Sequence, residues 1–256
     1  MSVNVKIFKV LYRLTLPGGL LLIFAAALIR VGLLADPMSP LVRFVPLGIY
    51  GAGLALSAYF RRSRLFFATL LLALAGVMVA WVTPFIPATS ARTMETAINL
   101  VLPLNFVALA FIKERGIISR TGRRRLAIGA AQVIVIAVIC LPWFSKLAGY
   151  LSRPFLPQPL VRWSHVSQPG LACFILSALV IMVPLIRGYR AVESSLFWAL
   201  ISSFVALQLG AGNYLSGIFF ATGELAVLVA LMETSYSMAY LDELTQLPAV
   251  AHSMRR

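Results

Sequence analysis

The stretch YLSGIFFATGELAVLVALM, residues 214–232, decides the fold of this chain. It is apolar almost throughout, and about 20 apolar residues form a helix long enough to cross the roughly 30 Å hydrocarbon core of a bilayer. Seven further apolar runs precede it. The sequence therefore predicts an all-α integral membrane protein, folded as a bundle of about eight transmembrane helices.

The predicted spans cover most of the chain. Composition supports them, because 61% of the 256 residues are hydrophobic and the mean hydropathy is +0.93, which excludes an ordinary soluble domain. In the second span, Gly48, Gly51 and Gly53 are small residues that allow helices to approach closely in lipid. The eight spans are expected at about 14–34, 42–60, 65–82, 93–112, 126–144, 171–186, 194–209 and 214–232.

The distribution of positive charge indicates the orientation. The formal net charge is +14, but the basic residues stand in short groups between apolar runs, a pattern of membrane topology and not of nucleic-acid binding. With eight spans, 16 of the 22 Lys and Arg residues fall on one side of the membrane. Because cytoplasmic loops retain positive charge, both termini are predicted to be cytoplasmic.

The segment after the last span reads as the start of a soluble region. Residues 235–248 are SYSMAYLDELTQLP, which combine charges, hydroxyls and a proline. Asp242, Leu244, Thr245, Leu247 and Pro248 form the pattern D-x-L-T-x-L-P, which resembles the opening of the GGDEF domain, the catalytic module of bacterial diguanylate cyclases. The expected organisation is a multi-pass transmembrane sensory region at 1–234, then a cytoplasmic signalling helix and the incomplete start of a GGDEF domain at 235–256.

This resemblance implies a role in cyclic di-GMP signal transduction at the bacterial inner membrane. In the family, a stimulus shifts the last helix of the sensor, and the shift controls how two cytoplasmic GGDEF domains meet. Each complete domain binds one GTP with Mg, so two domains must meet for cyclisation, and the active form is a dimer. The expected partners are therefore the lipid bilayer and a second copy of the chain, paired through the last helix, with no nucleic acid.

The catalytic part of such a domain is not encoded here. From Asp242 to Arg256 there are 15 residues, whereas an independently folding domain needs at least about 50. The chain is expected to be truncated just inside its catalytic domain and inactive alone, with no catalytic residue, metal ligand or cofactor of its own.

The final residues suggest a cause of the truncation. Residues 249–255 read AVAHSMR, and their generic codons, read one base earlier, can encode G-R-R-A-F-N-A, which resembles the continuation of the family pattern. The hypothesis is a deletion of one base near the codon for Pro248, which would shift the reading frame.

Glu224 is the candidate site within the membrane. It is the one ionisable residue near the middle of a predicted span, where a carboxylate is costly unless it is protonated, paired or hydrated. Such residues are functional by default, and a ligand or proton bound here could move the last helix. The alternative is a packing role, in which Glu224 bonds a neighbouring helix through Gln208, Asn99, Asn105 or Gln132.

Two further interpretations remain open. In a small transporter or channel, Glu224, Asn99 and Asn105 would line a substrate path, and Pro103 and Pro184 would break helices around it. In a scaffold, the chain would have no activity of its own.

Two other polar features have simpler interpretations. The basic cluster between residues 113 and 125 is predicted to anchor a cytoplasmic loop, and contact with anionic lipid headgroups or with an output domain are the alternatives. His165 has no second ligand at metal-binding spacing and is expected to be an exposed loop residue.

Overall fold

The computed structural model describes residues 17–33, 40–112, 114, 116–117, 119–141, 143, 149–150, 164–188, 191–210 and 212–240, with the backbone alone at 40–42, 188 and 238–240. This part of the chain is helical and contains no strand, which confirms the predicted all-α fold for it. The long helices are α1 (Gly18–Arg30), α2 (Pro40–Tyr59), α3 (Ser63–Val77), α4 (Ala88–Phe111), α5 (Arg120–Ile139), α6 (Gln168–Gly188), α7 (Ala191–Gln208) and α8 (Tyr214–Tyr240).

Each predicted span overlaps one of these helices. Helix α1 ends earlier than expected because Gly32, at φ 83°, takes the left-handed conformation that ends a helix. Helix α8 continues past residue 232, where the last span was expected to end, to Tyr240, and so enters the segment in which a signalling helix was predicted. The segments long and apolar enough to cross a membrane are Ser63–Phe85, Ala88–Phe111, Gln168–Arg187, Ala191–Gln208 and Tyr214–Ser237, and Gly18–Arg30 is a shorter apolar helix. The number of eight spans stays a prediction.

Helices α7 and α8 form a tight hairpin at the centre of the bundle. Their connection contains Gly210 and Gly212, both at φ 81°, a conformation that glycine adopts without strain. A Cβ added at Gly223 would lie 3.3 Å from Cα of Ala199, so the two backbones approach closely there. Within its most apolar window, 67% of α8 is buried, against 28% of α6, so α8 is an interior helix.

Helix α3 continues through an irregular segment. A π-helical turn at Met78–Val82 and a 3-10 turn at Thr83–Phe85 extend it without a break. Wider π turns leave carbonyl groups available for other donors. Here the carbonyl oxygen of Val79 accepts a hydrogen bond from the Gly212 amide at 3.1 Å, and the Thr83 hydroxyl also donates to it. The turn therefore joins α3 to the α7–α8 connection.

The other helices surround this centre. The α2–α3 hairpin and α1 pack on α8, while α4 packs on α6, α7 and α3. Helix α5 lies at the periphery, and among the helices described its main neighbour is α4. Residues 242–248, which carry the GGDEF-like pattern, lie outside the described residues.

Candidate functional site

Glu224 lies on α8, in the interior of the bundle, with 0% of its surface exposed. Its Oε1 accepts a hydrogen bond of 2.8 Å from the hydroxyl of Thr69 on α3. Its Oε2 has no hydrogen-bond donor among the described residues, and no described basic side chain forms an ion pair with it. An ionised carboxylate is costly in such surroundings, so this carboxyl group is held by its neighbours without charge compensation.

The backbone of α2 makes room for this carboxyl group. A Cβ added at Gly53 would collide with the Glu224 carboxyl group and would lie 3.0 Å from Cγ2 of Thr69. Only a residue without a side chain therefore lets α2 approach α8 at this level. The sequence predicted close approach at Gly48 and Gly51 as well, but a Cβ at either position would meet nothing within 4 Å. Gly53 alone of the three has the predicted role.

A second polar contact lies about two turns earlier on α8. The hydroxyl of Tyr50, on α2, donates a hydrogen bond of 3.3 Å to the carbonyl oxygen of Gly217, on α8. Tyr50 is only 4% exposed, and a Cβ at Gly76 of α3 would collide with its hydroxyl group. A buried tyrosine of this kind needs a partner for its hydroxyl, and α8 supplies one.

A third contact lies near the end of α8. Nη2 of Arg62, in the turn between α2 and α3, donates a hydrogen bond of 3.2 Å to the carbonyl oxygen of Thr234. Together the three contacts attach the α2–α3 hairpin to α8 over about 26 Å, at 1.5 Å per residue. We call the pairs Tyr50–Gly217, Thr69–Glu224 and Arg62–Thr234 the α8 seam.

A different arrangement joins the ends of α3, α4 and α7. Nη1 of Arg64, on α3, lies 3.1 Å from Oε1 of Glu193, on α7, and both side chains are more than nine-tenths buried. The other two guanidinium nitrogens also form hydrogen bonds, because Nε and Nη2 donate at 3.0 Å to the carbonyl oxygens of Leu109 and Ala110 at the end of α4. We call these groups the Arg64 clamp.

The last turns of α8 border an open cleft next to the clamp. It encloses about 830 Å³ between α3, α4, α6, α7 and α8. Glu233, Thr234 and Ser237 contribute its α8 wall, and Arg62 and Arg187 also line it. Helix α8 is thus tightly packed around Glu224 and has free space on one side near its end.

The other polar residues predicted for the site lie elsewhere. Asn105, on α4, exchanges hydrogen bonds of 3.1 and 3.3 Å with Gln132 of α5. Gln208 bonds the Ser164 hydroxyl and the backbone amide of His165, each at 2.9 Å. His165 is exposed, as predicted.

Asn99 is also separate from Glu224. It is 2% exposed on α4, where a Cβ at Gly170 of α6 would lie 2.8 Å from its own Cβ. The partner of Glu224 is therefore Thr69 and none of the four polar residues considered from the sequence. Glu224, Asn99 and Asn105 thus have different neighbours in the described structure, and the interpretation as a transporter or channel stays a prediction.

Sequence reasoning missed the residues that hold α8. Thr69, Tyr50 and Gly76 lie in apolar runs and carry no signal that distinguishes them from ordinary packing residues. Glu193 had a usable signal, because it is one of only eight acidic residues and stands in the first turn of an apolar helix. Arg62 and Arg64 were used only as indicators of orientation.

Comparison with protein-family models, with curated proteins and with solved structures finds no match for this chain.

Proposed function

We propose that this protein is a multi-pass membrane module that transmits a stimulus through α8 to a cytoplasmic signalling domain of the diguanylate cyclase type. One observation carries the proposal: α8 is buried at the centre of the bundle and runs unbroken to Tyr240, directly before the GGDEF-like pattern that starts at Asp242. The segment that carries the GGDEF-like pattern would lie on the cytoplasmic face of the bacterial inner membrane, as the distribution of basic residues indicates.

The length of α8 suits this role. Its 27 residues correspond to about 40 Å of helix, which exceeds the roughly 30 Å hydrocarbon core. About 10 Å of helix would therefore extend beyond the core, at the end that borders the 830 Å³ cleft. A rotation or shift of α8 in the bundle would be carried directly to whatever follows Tyr240.

The α8 seam supplies the coupling in this proposal. Glu224 is attached to the α2–α3 hairpin by one hydroxyl group, so a change at its carboxyl group alters a contact between α8 and the hairpin. A change in this bond would bias the position of α8 relative to the hairpin, which is the kind of bistable element that a switch requires. The free space beside Thr234 allows the end of α8 to respond.

Dimerisation would use the end of α8. Most of the helix is covered by α7, α1 and the α2–α3 hairpin, which leaves little of its membrane part for a second copy. Met232 and Tyr236, one turn apart, are 65% and 61% exposed. Residues at this spacing share one helix face, so a homodimer would pair this short stretch and the residues after it.

The genomic DNA that follows the codon for Arg256 gives the first test. Read in all three forward frames, it is expected to encode a complete GGDEF domain, in the same or in a shifted frame. If no frame encodes such a domain, the proposed output is wrong for this protein.

A fusion protein tests the transmission through α8. A complete GGDEF domain is placed in frame after Pro248, and cyclic di-GMP is measured in cells. Inserting one residue after Ser237 rotates the output by about 100°, whereas inserting seven residues nearly restores its phase. We expect the one-residue insertion to change the level of cyclic di-GMP in cells and the seven-residue insertion to restore it. Equal levels in all three proteins, with equal amounts in the membrane, would contradict the proposal.

A further inference from the structure

A cavity of about 220 Å³ lies between α3, α4 and α5. This is the volume of about seven water molecules, each of which occupies about 30 Å³ in the liquid. Its walls are almost entirely aliphatic and aromatic side chains, with Phe67 and Leu74 from α3, Leu102 from α4 and Ile136 from α5 among them. Such a cavity offers water too few partners, and it is suited to hydrocarbon.

The polar groups inside the cavity do not require a polar ligand. Asn105 and Gln132, which also line it, already exchange two hydrogen bonds with each other. Gly129 of α5 forms part of the wall, and a Cβ added there would meet nothing within 4 Å. A larger side chain at Gly129 would therefore occupy part of the cavity.

One end of the cavity is basic. Arg125 is its only charged residue among those described, and no carboxylate lines it. Arg120, Arg123 and Arg124 lie on the same first turns of α5, whose sequence from 120 to 139 contains no acidic residue. From Arg125 to Ile136, at the other end, α5 rises about 16 Å. The cavity thus joins a positively charged end to an apolar interior, and this charge pattern complements an anionic amphiphile.

We propose that this cavity binds an anionic phospholipid, with one acyl chain between α3, α4 and α5 and the phosphate group at Arg125. Basic pockets between transmembrane helices on the cytoplasmic side attract anionic headgroups, and the apolar interior adds a site for the chain. Because α5 is attached mainly to α4, an acyl chain would have lateral access to the cavity from the bilayer. The proposal rests on insertion in a bilayer and is independent of the signalling role.

Lipid retention by the purified full chain tests this proposal. The protein is placed in nanodiscs that contain phosphatidylcholine and phosphatidylglycerol in equal amounts, and the co-purifying lipid is measured by mass spectrometry after transfer to detergent. We expect the wild type to retain phosphatidylglycerol in preference. Gly129→Leu fills the cavity without changing any charge, and it is expected to weaken phosphatidylglycerol binding at least about tenfold. Arg125→Gln should weaken it about fivefold, the effect of one basic residue near a lipid surface.

Two controls make the result decisive. Gly51→Leu introduces the same side chain on α2, at an exposed position where a Cβ meets nothing within 4 Å, and should retain phosphatidylglycerol like the wild type. Inorganic phosphate should not displace the lipid, because it supplies the headgroup contact without the chain. Wild-type retention of phosphatidylglycerol by Gly129→Leu would overturn the proposal, since attraction by the exposed arginines alone would then account for binding. Equal retention of the two lipids by the wild type would overturn it too, since the site would then have no preference for an anionic headgroup.

Discussion

Two buried carboxyl groups of this protein are held in opposite ways. Glu193 lies at the start of α7 and forms an ion pair of 3.1 Å with Arg64, which also bonds two carbonyl groups of α4. Glu224 lies in the middle of α8 and has a single hydroxyl partner, Thr69, and no counter-ion among the described residues. In each carboxyl group Oε2 has no donor among the described residues. The difference lies in the partner of Oε1, which for Glu193 is an arginine that compensates its charge and is itself bonded to α4, and for Glu224 is a single neutral hydroxyl group.

This difference separates an anchor from a candidate switch. Opening the Arg64 clamp would leave a guanidinium group and a carboxylate buried without partners, so the ends of α3, α4 and α7 should stay together in every functional state. Opening the contact between Glu224 and Thr69 would cost one hydrogen bond. Movement of α8 is therefore expected to use the α8 seam while the clamp remains intact.

The largest effect is expected where one partner of the clamp is removed. Glu193→Leu leaves Arg64 buried without its counter-ion, which should lower the free energy of unfolding by about 3–5 kcal/mol. Thermal unfolding of the purified protein in detergent measures the loss. In the double variant Arg64→Met with Glu193→Leu, no charge is left buried, and we expect at least about half of the loss to be recovered. A double variant as unstable as Glu193→Leu would show that the carbonyl contacts of Arg64, and not its charge, hold the clamp.

A smaller loss is expected where α2 meets Glu224. Gly53→Leu places a side chain in the space of the carboxyl group and forces α2 away from α8, which should cost about 1–3 kcal/mol, as overpacking does elsewhere. Gly51→Leu, on an exposed face of the same helix, is the matched control and should change stability little. Equal losses in both variants would indicate a general effect on α2 and would contradict the specific contact at Gly53.

The sequence identified the helices more successfully than their contacts. Apolar runs predict helices directly, because a long run has few other stable structures in a membrane. The last span was predicted to end at Met232, where hydropathy falls, whereas α8 runs on to Tyr240 because nothing from Glu233 to Tyr240 breaks a helix. Hydropathy marks where a membrane should end, and a helix ends only where capping or sterics end it.

The prediction of the candidate site has the same limit, because its residues were easier to predict than their contacts. Glu224 was predicted from its charge alone, since a carboxyl group in an apolar run is conspicuous. Thr69 was not, because 155 positions separate the two residues and only the register of α3 against α8 brings them together. For the same reason Gly53 could not be told from Gly48 and Gly51, which differ in the face of α2 on which they lie.

The hydroxyl that holds Glu224 should have a modest effect on stability. Thr69→Val keeps the shape of the side chain and removes the only hydrogen-bond donor that the described structure gives the carboxyl group. We expect a loss of about 0.6 kcal/mol and at most about 1.7 kcal/mol, the average and the maximum for hydrogen bonds between membrane helices. Thr69→Ser, which retains the donor, should recover part of this loss. If Thr69→Val and wild type unfold at the same temperature in detergent, the bond does not contribute to the α8 seam.

The smallest effect on stability, and the most informative one on function, is expected for Glu224→Gln. The amide oxygen can still accept the Thr69 hydrogen bond, and the side chain keeps its shape, so the free energy of unfolding should change less than it does in Thr69→Val. A packing role would leave the output unchanged as well. In the fusion with a complete GGDEF domain, we instead expect cyclic di-GMP to stop responding to whatever alters the wild-type level, because an amide cannot exchange a proton or pair with a cation as a carboxyl group does. Normal stability with a normal response would assign Glu224 to packing, whereas normal stability with a lost response would show that the response depends on the carboxyl group.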